Sequence, residues 1–234
     1  MSELFSIQLQ NRQQQGRDGV WLDLPTTTEQ VQAALRQIGI SSDNPQGLFI
    51  SGYFAEEEKR FAIPYNMVLA SNVDELNFLA SRLETLSTGE RAELNAALQA
   101  PQSELFSIGR ITDFPENVDY YVHLPDVHGP AQLGDYYLNR SGMVDMPEEW
   151  KGGIDTAQFG RYVAQQEQGV FTQYGYLVKS GDEWQKVHEG QPVPEEYRVL
   201  SFPAPEVLRD SANIPPPVQP ETEPQKVIPI ILNG

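Results

Sequence analysis

Between Val73 and Leu98 the apolar residues fall three or four positions apart: Val73, Leu76, Leu79, Ala80, Leu83 and Leu86, then Leu94 and Leu98. Side chains at that spacing share one face of an α-helix, which commits the segment to amphipathic helix. Gly89 interrupts the pattern, so Asn72–Leu98 reads as a helical hairpin with Thr88-Gly89 as its turn.

The flanking sequence has a different period. In Gly19-Val20-Trp21-Leu22-Asp23-Leu24-Pro25 apolar and polar residues alternate up to a proline, as in a strand that ends at a turn. Thr28 is then an N-cap candidate, and Val31, Ala34, Leu35 and Ile38 follow at helical spacing before Gly39. Leu48–Phe54 reads as a second strand. Residues 1–61 therefore predict a small α+β domain and residues 62–109 a helical central domain. Residues 110–182 predict an acidic α+β domain. It contains two short aromatic stretches, Asp119–Leu124 and Gly134–Leu138, a helix over Ile154–Gln166 and a strand-like run from Val170 to Val178.

Beyond Trp184 the composition shifts, and residues 191–234 hold ten of the eighteen prolines. Residues 183–234 are thus expected to form a Pro-rich, largely disordered tail. Its apolar end, Val227–Leu232, is either a frayed terminus or a short docking motif. The hexapeptide Ser2–Ile7 recurs as Ser103–Ile108, compatible with two equivalent edge strands but too little for a repeat architecture. The fold class that results is α+β: two to three small mixed α/β domains in series, followed by a tail.

Composition narrows the function. The absence of cysteine removes disulfides, thiol catalysis and thiolate metal sites. His123, His128 and His188 are too few and too scattered for a zinc centre. No phosphate loop, nucleophile elbow or His-Glu-x-x-His helix is present, and the runs Glu56-Glu57-Glu58 and Glu148-Glu149 are what an acid-rich chain yields by chance. No metal, cofactor or enzymatic activity is expected. The N-terminus is polar and glutamine-rich, and no apolar run reaches the roughly 20 residues of a membrane helix. The reading is a cytoplasmic protein with no membrane association.

Thirty-three acidic residues against sixteen basic give a net charge of −17, which opposes direct binding of nucleic acid or anionic lipid. The acids of residues 113–155 are dispersed among aromatic and proline residues instead of forming a block. They are Asp113, Glu116, Asp119, Asp126, Asp135, Asp145, Glu148, Glu149 and Asp155, against Arg140 and Lys151, a net of −7. Such a surface is either an ordinary solvated face or a folded lattice of carboxylates that imitates a phosphate backbone. Duplex DNA carries one charge per roughly 1.7 Å of axis, so a homodimer at −34 would match about 58 Å of duplex.

Three groups of residues carry a family resemblance over roughly Val20 to Val178. They are Gly19-x-Trp21-x-x-Leu24-Pro25 before the Val31–Ile38 helix; Glu75-Leu76-Asn77-x-Leu79-Ala80 with Leu83 and Leu86; and Ile154-Asp155-x-x-x-Phe159-Gly160-Arg161 leading to Gly175-Tyr176. In order and spacing the chain resembles the ArdA antirestriction proteins of phages, plasmids and conjugative transposons. The resemblance implies an elongated, curved, three-domain α/β protein that dimerises through its third domain and displays acids like bent B-form DNA. It also implies a partner, the type I restriction-modification enzyme of a bacterial host, blocked without catalysis by occupation of its DNA-binding groove. Among the motif residues, Trp21, Leu24, Leu76 and Leu79 are expected in the core, Pro25 in a turn, and Gly160 and Gly175 where the backbone requires them. Arg161 either pairs with Asp155, within the chain or across a dimer interface, or is exposed. Two features depart from the family: the Pro-rich tail, and Arg12, Arg17, Lys59 and Arg60, which dilute the acidity of the first domain. They leave open another defence enzyme, such as a CRISPR effector, as the target, or an adaptor role in which the tail docks a partner.

Overall fold

Period-two alternation builds the first sheet of the computed structural model, which describes residues 4–14, 18–56, 61–101 and 103–205. Strands β1 (Phe5–Asn11), β2 (Val20–Leu24) and β3 (Leu48–Phe54) pair antiparallel in the order β2-β1-β3. Phe5, Ile7 and Leu9 alternate inward from β1, and Leu22, Leu24 and Ile50 meet them from the neighbouring strands. The sequence suggested β1 only as an edge strand, through the Ser2–Ile7 repeat, and it is the central strand. The second copy of its hexapeptide forms no strand: Ser107 Oγ accepts the Arg110 backbone N–H at 3.2 Å and caps helix α5 (Ile108–Thr112). The same six residues fold by context, one copy between two strands and the other opening a helix.

Helix α1 (Thr28–Gln37) starts one residue earlier than predicted, because Thr27 and Gln30 form a reciprocal capping box. Helix α2 (Tyr65–Leu69) precedes the hairpin, whose helices are α3 (Val73–Glu84) and α4 (Thr88–Gln99). Its turn lies before Thr88: Glu90 accepts the Ser87 backbone N–H at 2.7 Å, and Ser87 caps α4 in return, drawing Thr88 and Gly89 into the first helical turn. A Ser followed three residues later by Glu outranks a Thr-Gly pair as a signal here.

After α5, short 3-10 turns at Phe114–Glu116 and Val118–Tyr120 lead into β4 (Tyr121–Leu124). The chain continues through α6 (Pro130–Asn139), α7 (Glu148–Lys151), α8 (Thr156–Glu167), β5 (Val170–Thr172) and β6 (Gly175–Lys179), and the strands form a second antiparallel sheet in the order β4-β6-β5. The aromatic stretch Gly134–Leu138 is thus helical, and the strand-like run from Val170 is a tight hairpin. Gly175 turns it at φ +120°, where a Cβ would lie 2.4 Å from the Leu124 carbonyl oxygen. Gly134 and Gly160 are where α6 and α8 touch: a Cβ on Gly160 would lie 1.8 Å from the Pro130 carbonyl oxygen.

One apolar core runs through the N-terminal sheet, the hairpin and the second sheet, and includes Leu24, Phe61, Leu76, Ile111, Tyr121 and Val199. Packing therefore does not break at residues 61 or 109. A smaller cluster of Val127, Leu133 and Tyr176 lies with partly buried residues of α6 and α8. Trp21 departs from expectation: strand alternation sends Leu22 and Leu24 inward and Trp21 outward, 50% exposed, with its ring edge-on to Phe54 at 6.4 Å.

The largest correction concerns residues 183–205, assigned above to a disordered tail. They form a strap along the body. Trp184 packs edge-on to Tyr120 at 5.1 Å, Tyr197 stacks on Phe78 at 4.7 Å, and Val199 is buried. Proline removes backbone donors within such a segment, but the body supplies partners for those that remain. Asp74 accepts the N–H groups of Val199 and Leu200 at 2.8 and 2.7 Å, and Ser42 donates to the Pro203 carbonyl at 2.9 Å. The rest of the tail, with Val227–Leu232, lies outside the described residues, as do Arg17, Lys59 and Arg60.

Candidate acidic interface

The nine carboxylates singled out in residues 113–155 have three different fates. Asp113, directly after α5, is fully buried. Its two oxygens accept the backbone N–H groups of His188 at 2.6 Å and Glu189 at 3.2 Å. It therefore belongs to no surface. The apolar neighbours Ile111 and Phe114 could have signalled this, since a polar residue flanked by core residues is carried inside with them and must then find hydrogen-bond partners.

Three of the others are neutralised locally. Glu116 pairs with Arg82 of α3. Asp135 on α6 is held below the usual carboxylate range, first by the Asn139 amide at 2.8 Å and then by Arg140 at 2.6 Å. Glu148 pairs with Lys151 at 2.6 Å within α7.

The remaining five are exposed without an ion pair among the described residues: Asp119, Asp126, Asp145, Glu149 and Asp155. Asp155 caps α8 by accepting the Gln158 N–H at 3.0 Å. It does not pair with Arg161, which is exposed. Asp119 also faces Glu93 of α4. Burial, reinforced by the charges of Glu90 and Asp119, pushes the Glu93 carboxyl up to about 8. Its Oε1 is buried with no hydrogen-bond partner among the described residues. The strap adds Glu183, Glu195 and Glu196 as exposed carboxylates that the sequence reading left in the tail, and Asp182 just before it is exposed as well.

The family-motif residues hold this arrangement together. Leu24, Leu76 and Leu79 are fully buried. Asn77 is buried and reaches two ways, accepting the Thr26 N–H at 2.7 Å and donating to the Tyr197 carbonyl at 3.0 Å. It fixes the turn after Pro25 to α3 and α3 to the strap. Tyr176 is buried, and its hydroxyl donates to Glu167 at 3.0 Å, where Tyr137 donates to the other oxygen at 2.5 Å. Glu104 is drawn below its ordinary range, mainly by its hydrogen bond with Lys179 at 2.8 Å, and it also pairs with Arg110 at 3.0 Å.

Among the described residues no group of three or more His, Cys, Asp or Glu side chains is placed to hold a metal ion, and no helix is long and apolar enough to cross a membrane. Fold and surface together define a mixed α/β protein whose described residues carry exposed carboxylates on a folded body. A family model described as antirestriction protein (ArdA) matches residues 15–178. The chain belongs to that family, and antirestriction is the activity that membership carries. No curated protein matches the chain significantly.

Proposed function

We propose that this antirestriction protein is a DNA mimic that occupies the DNA-binding groove of a type I restriction-modification enzyme and blocks it without chemistry. The observation that carries this reading is the set of exposed, unpaired carboxylates Asp119, Asp126, Asp145, Glu149 and Asp155, all borne on one folded segment. At physiological salt the Debye length is about 8 Å, so only carboxylates placed locally against cationic side chains of the groove contribute. An ordered surface also avoids the ordering entropy that a flexible acidic chain loses on binding. Asp113 contributes nothing directly, and the carboxylates paired with Arg82, Arg140 and Lys151 contribute less.

The mimic acts as a homodimer in this reading. Met143, Trp150 and Tyr162 are 74%, 66% and 59% exposed on and beside α7 and α8, and a second copy would cover such side chains. The experiment is a binding assay with a purified type I methyltransferase core. The protein binds it, and duplex DNA added in excess displaces the protein; binding unchanged under saturating DNA contradicts the mimicry.

A further inference from the structure

The strap closes one side of a cavity of about 650 Å³ between α2, α3 and the start of α5. Its apolar lining comes from Met67, Phe78, Ile108 and Val193, with Phe106 at 63% exposure among the same wall residues. Two carboxylates line it, Glu75, exposed on α3, and Glu189 on the strap; the wall holds no lysine or arginine, and its basic side chain is His188, whose ring stands edge-on to Phe78 at 5.0 Å. The Glu189 charge is already shared, since Arg110 Nε lies 3.0 Å from one oxygen and Lys186 Nζ 3.6 Å from the other. Glu75 has no ion pair among the described residues, and its Oε2 accepts only the Asn72 N–H at 3.3 Å. The cavity thus combines a hydrocarbon wall with a carboxylate that lacks a counter-charge. Its surroundings also tolerate a guanidinium on an aromatic ring, for Arg110 sits 4.8 Å from the centre of Phe106.

We infer that this cavity receives a single basic side chain, arginine or lysine, presented by the DNA-binding partner. The stem lies against Met67, Phe78 and Ile108, and the charged head meets Glu75. A neutral group would gain only the apolar contact, and an anion would be repelled by Glu75. The identity of the partner rests on the function proposed above; the cation preference of the cavity does not. Because His188 to Val193 lie beyond the matched residues 15–178, this contact uses a wall that the family match does not cover.

The test uses the full chain and n-butylguanidinium as the probe, with n-butanol and butyrate as neutral and anionic controls. In an amide NMR titration the probe shifts Ser71, Ile108 and Gly190 saturably, and both controls bind at least threefold more weakly. Glu75→Gln, which keeps the capping geometry, weakens the probe about three- to fivefold. Ala70→Trp, placed at an exposed wall position, fills the cavity and abolishes binding with an unchanged melting temperature. Equal binding of probe and butanol, or no saturable shift at these amides, overturns the cation site. In an inhibition assay Ala70→Trp is at least tenfold weaker than the parent, and equal inhibition overturns the cavity as a partner contact. A parent protein that binds the probe yet inhibits no type I enzyme overturns the functional reading and the partner with it, while the cation preference stands.

Discussion

The carboxylate of Asp113 accepts the backbone N–H of His188 at 2.6 Å, joining the end of α5 to a segment seventy-five residues later in the chain. Glu189 donates to the second oxygen, and Asn117 bonds both the N–H and the carbonyl of Gln185. A buried charged acceptor with two amide donors is a strong anchor, and its loss leaves those donors unsatisfied. Asp113→Ala is expected to destabilise the protein by roughly 2–4 kcal/mol. Hydrogen exchange at His188 and Glu189 rises well above that at the core strands, and limited proteolysis first cuts within residues 183–205. An unchanged melting temperature contradicts the anchoring role.

Leu24 and Trp21 separate core from surface within one strand. Leu24 is fully buried, so Leu24→Ala should lose about 2–5 kcal/mol. Trp21 is half exposed and rests beside Phe54, so Trp21→Ala should lose only about 1–2 kcal/mol. Urea unfolding of both variants checks the order, which reverses if Trp21 is a core residue.

The pH dependence centres on Glu93. Its folded carboxyl is held at about 8 against an ordinary value of 4.5, so the folded state binds this proton more tightly than the unfolded chain does. The stabilisation is complete below about 4.5 and is lost as pH rises through about 8. Melting temperatures should therefore fall between pH 6 and pH 8.5, and Glu93→Gln should shrink that fall, with its advantage over the parent largest at the alkaline end. A variant with the same slope as the parent contradicts the assignment.

Much of this fold was legible where one physical signal dominated. Leu76, Leu79 and Leu83 announced α3 by spacing alone, and Leu22 and Leu24 announced the inward face of β2. The same alternation puts Trp21 outside, against the expectation of a core position that it shared with Leu24, Leu76 and Leu79. β1 was legible too, since Phe5, Ile7 and Leu9 alternate with Ser6, Gln8 and Gln10; the repeated hexapeptide suggested an edge strand there, whereas pairing with both β2 and β3 makes it central. The strap was hidden for a deeper reason: its partners Asp74, Asn77, Asp113 and Asn117 are distant in sequence, and proline content reports missing local hydrogen bonds, not missing tertiary ones. At the acidic surface, composition identified the carboxylates but not which of them Arg82, Arg140 or a backbone amide had already engaged.

The central claim is that unpaired surface carboxylates, and not the fold alone, compete with DNA. The direct measurement is the affinity of a type I methyltransferase core for the parent and for a variant carrying Asp119→Asn, Asp126→Asn, Asp145→Asn and Glu149→Gln, with melting temperatures in parallel. Small contributions from each exposed charge should combine to weaken binding by about 30-fold or more. The melting temperature should stay equal or rise slightly as self-repulsion is relieved. A variant that melts like the parent and binds equally well would contradict the account.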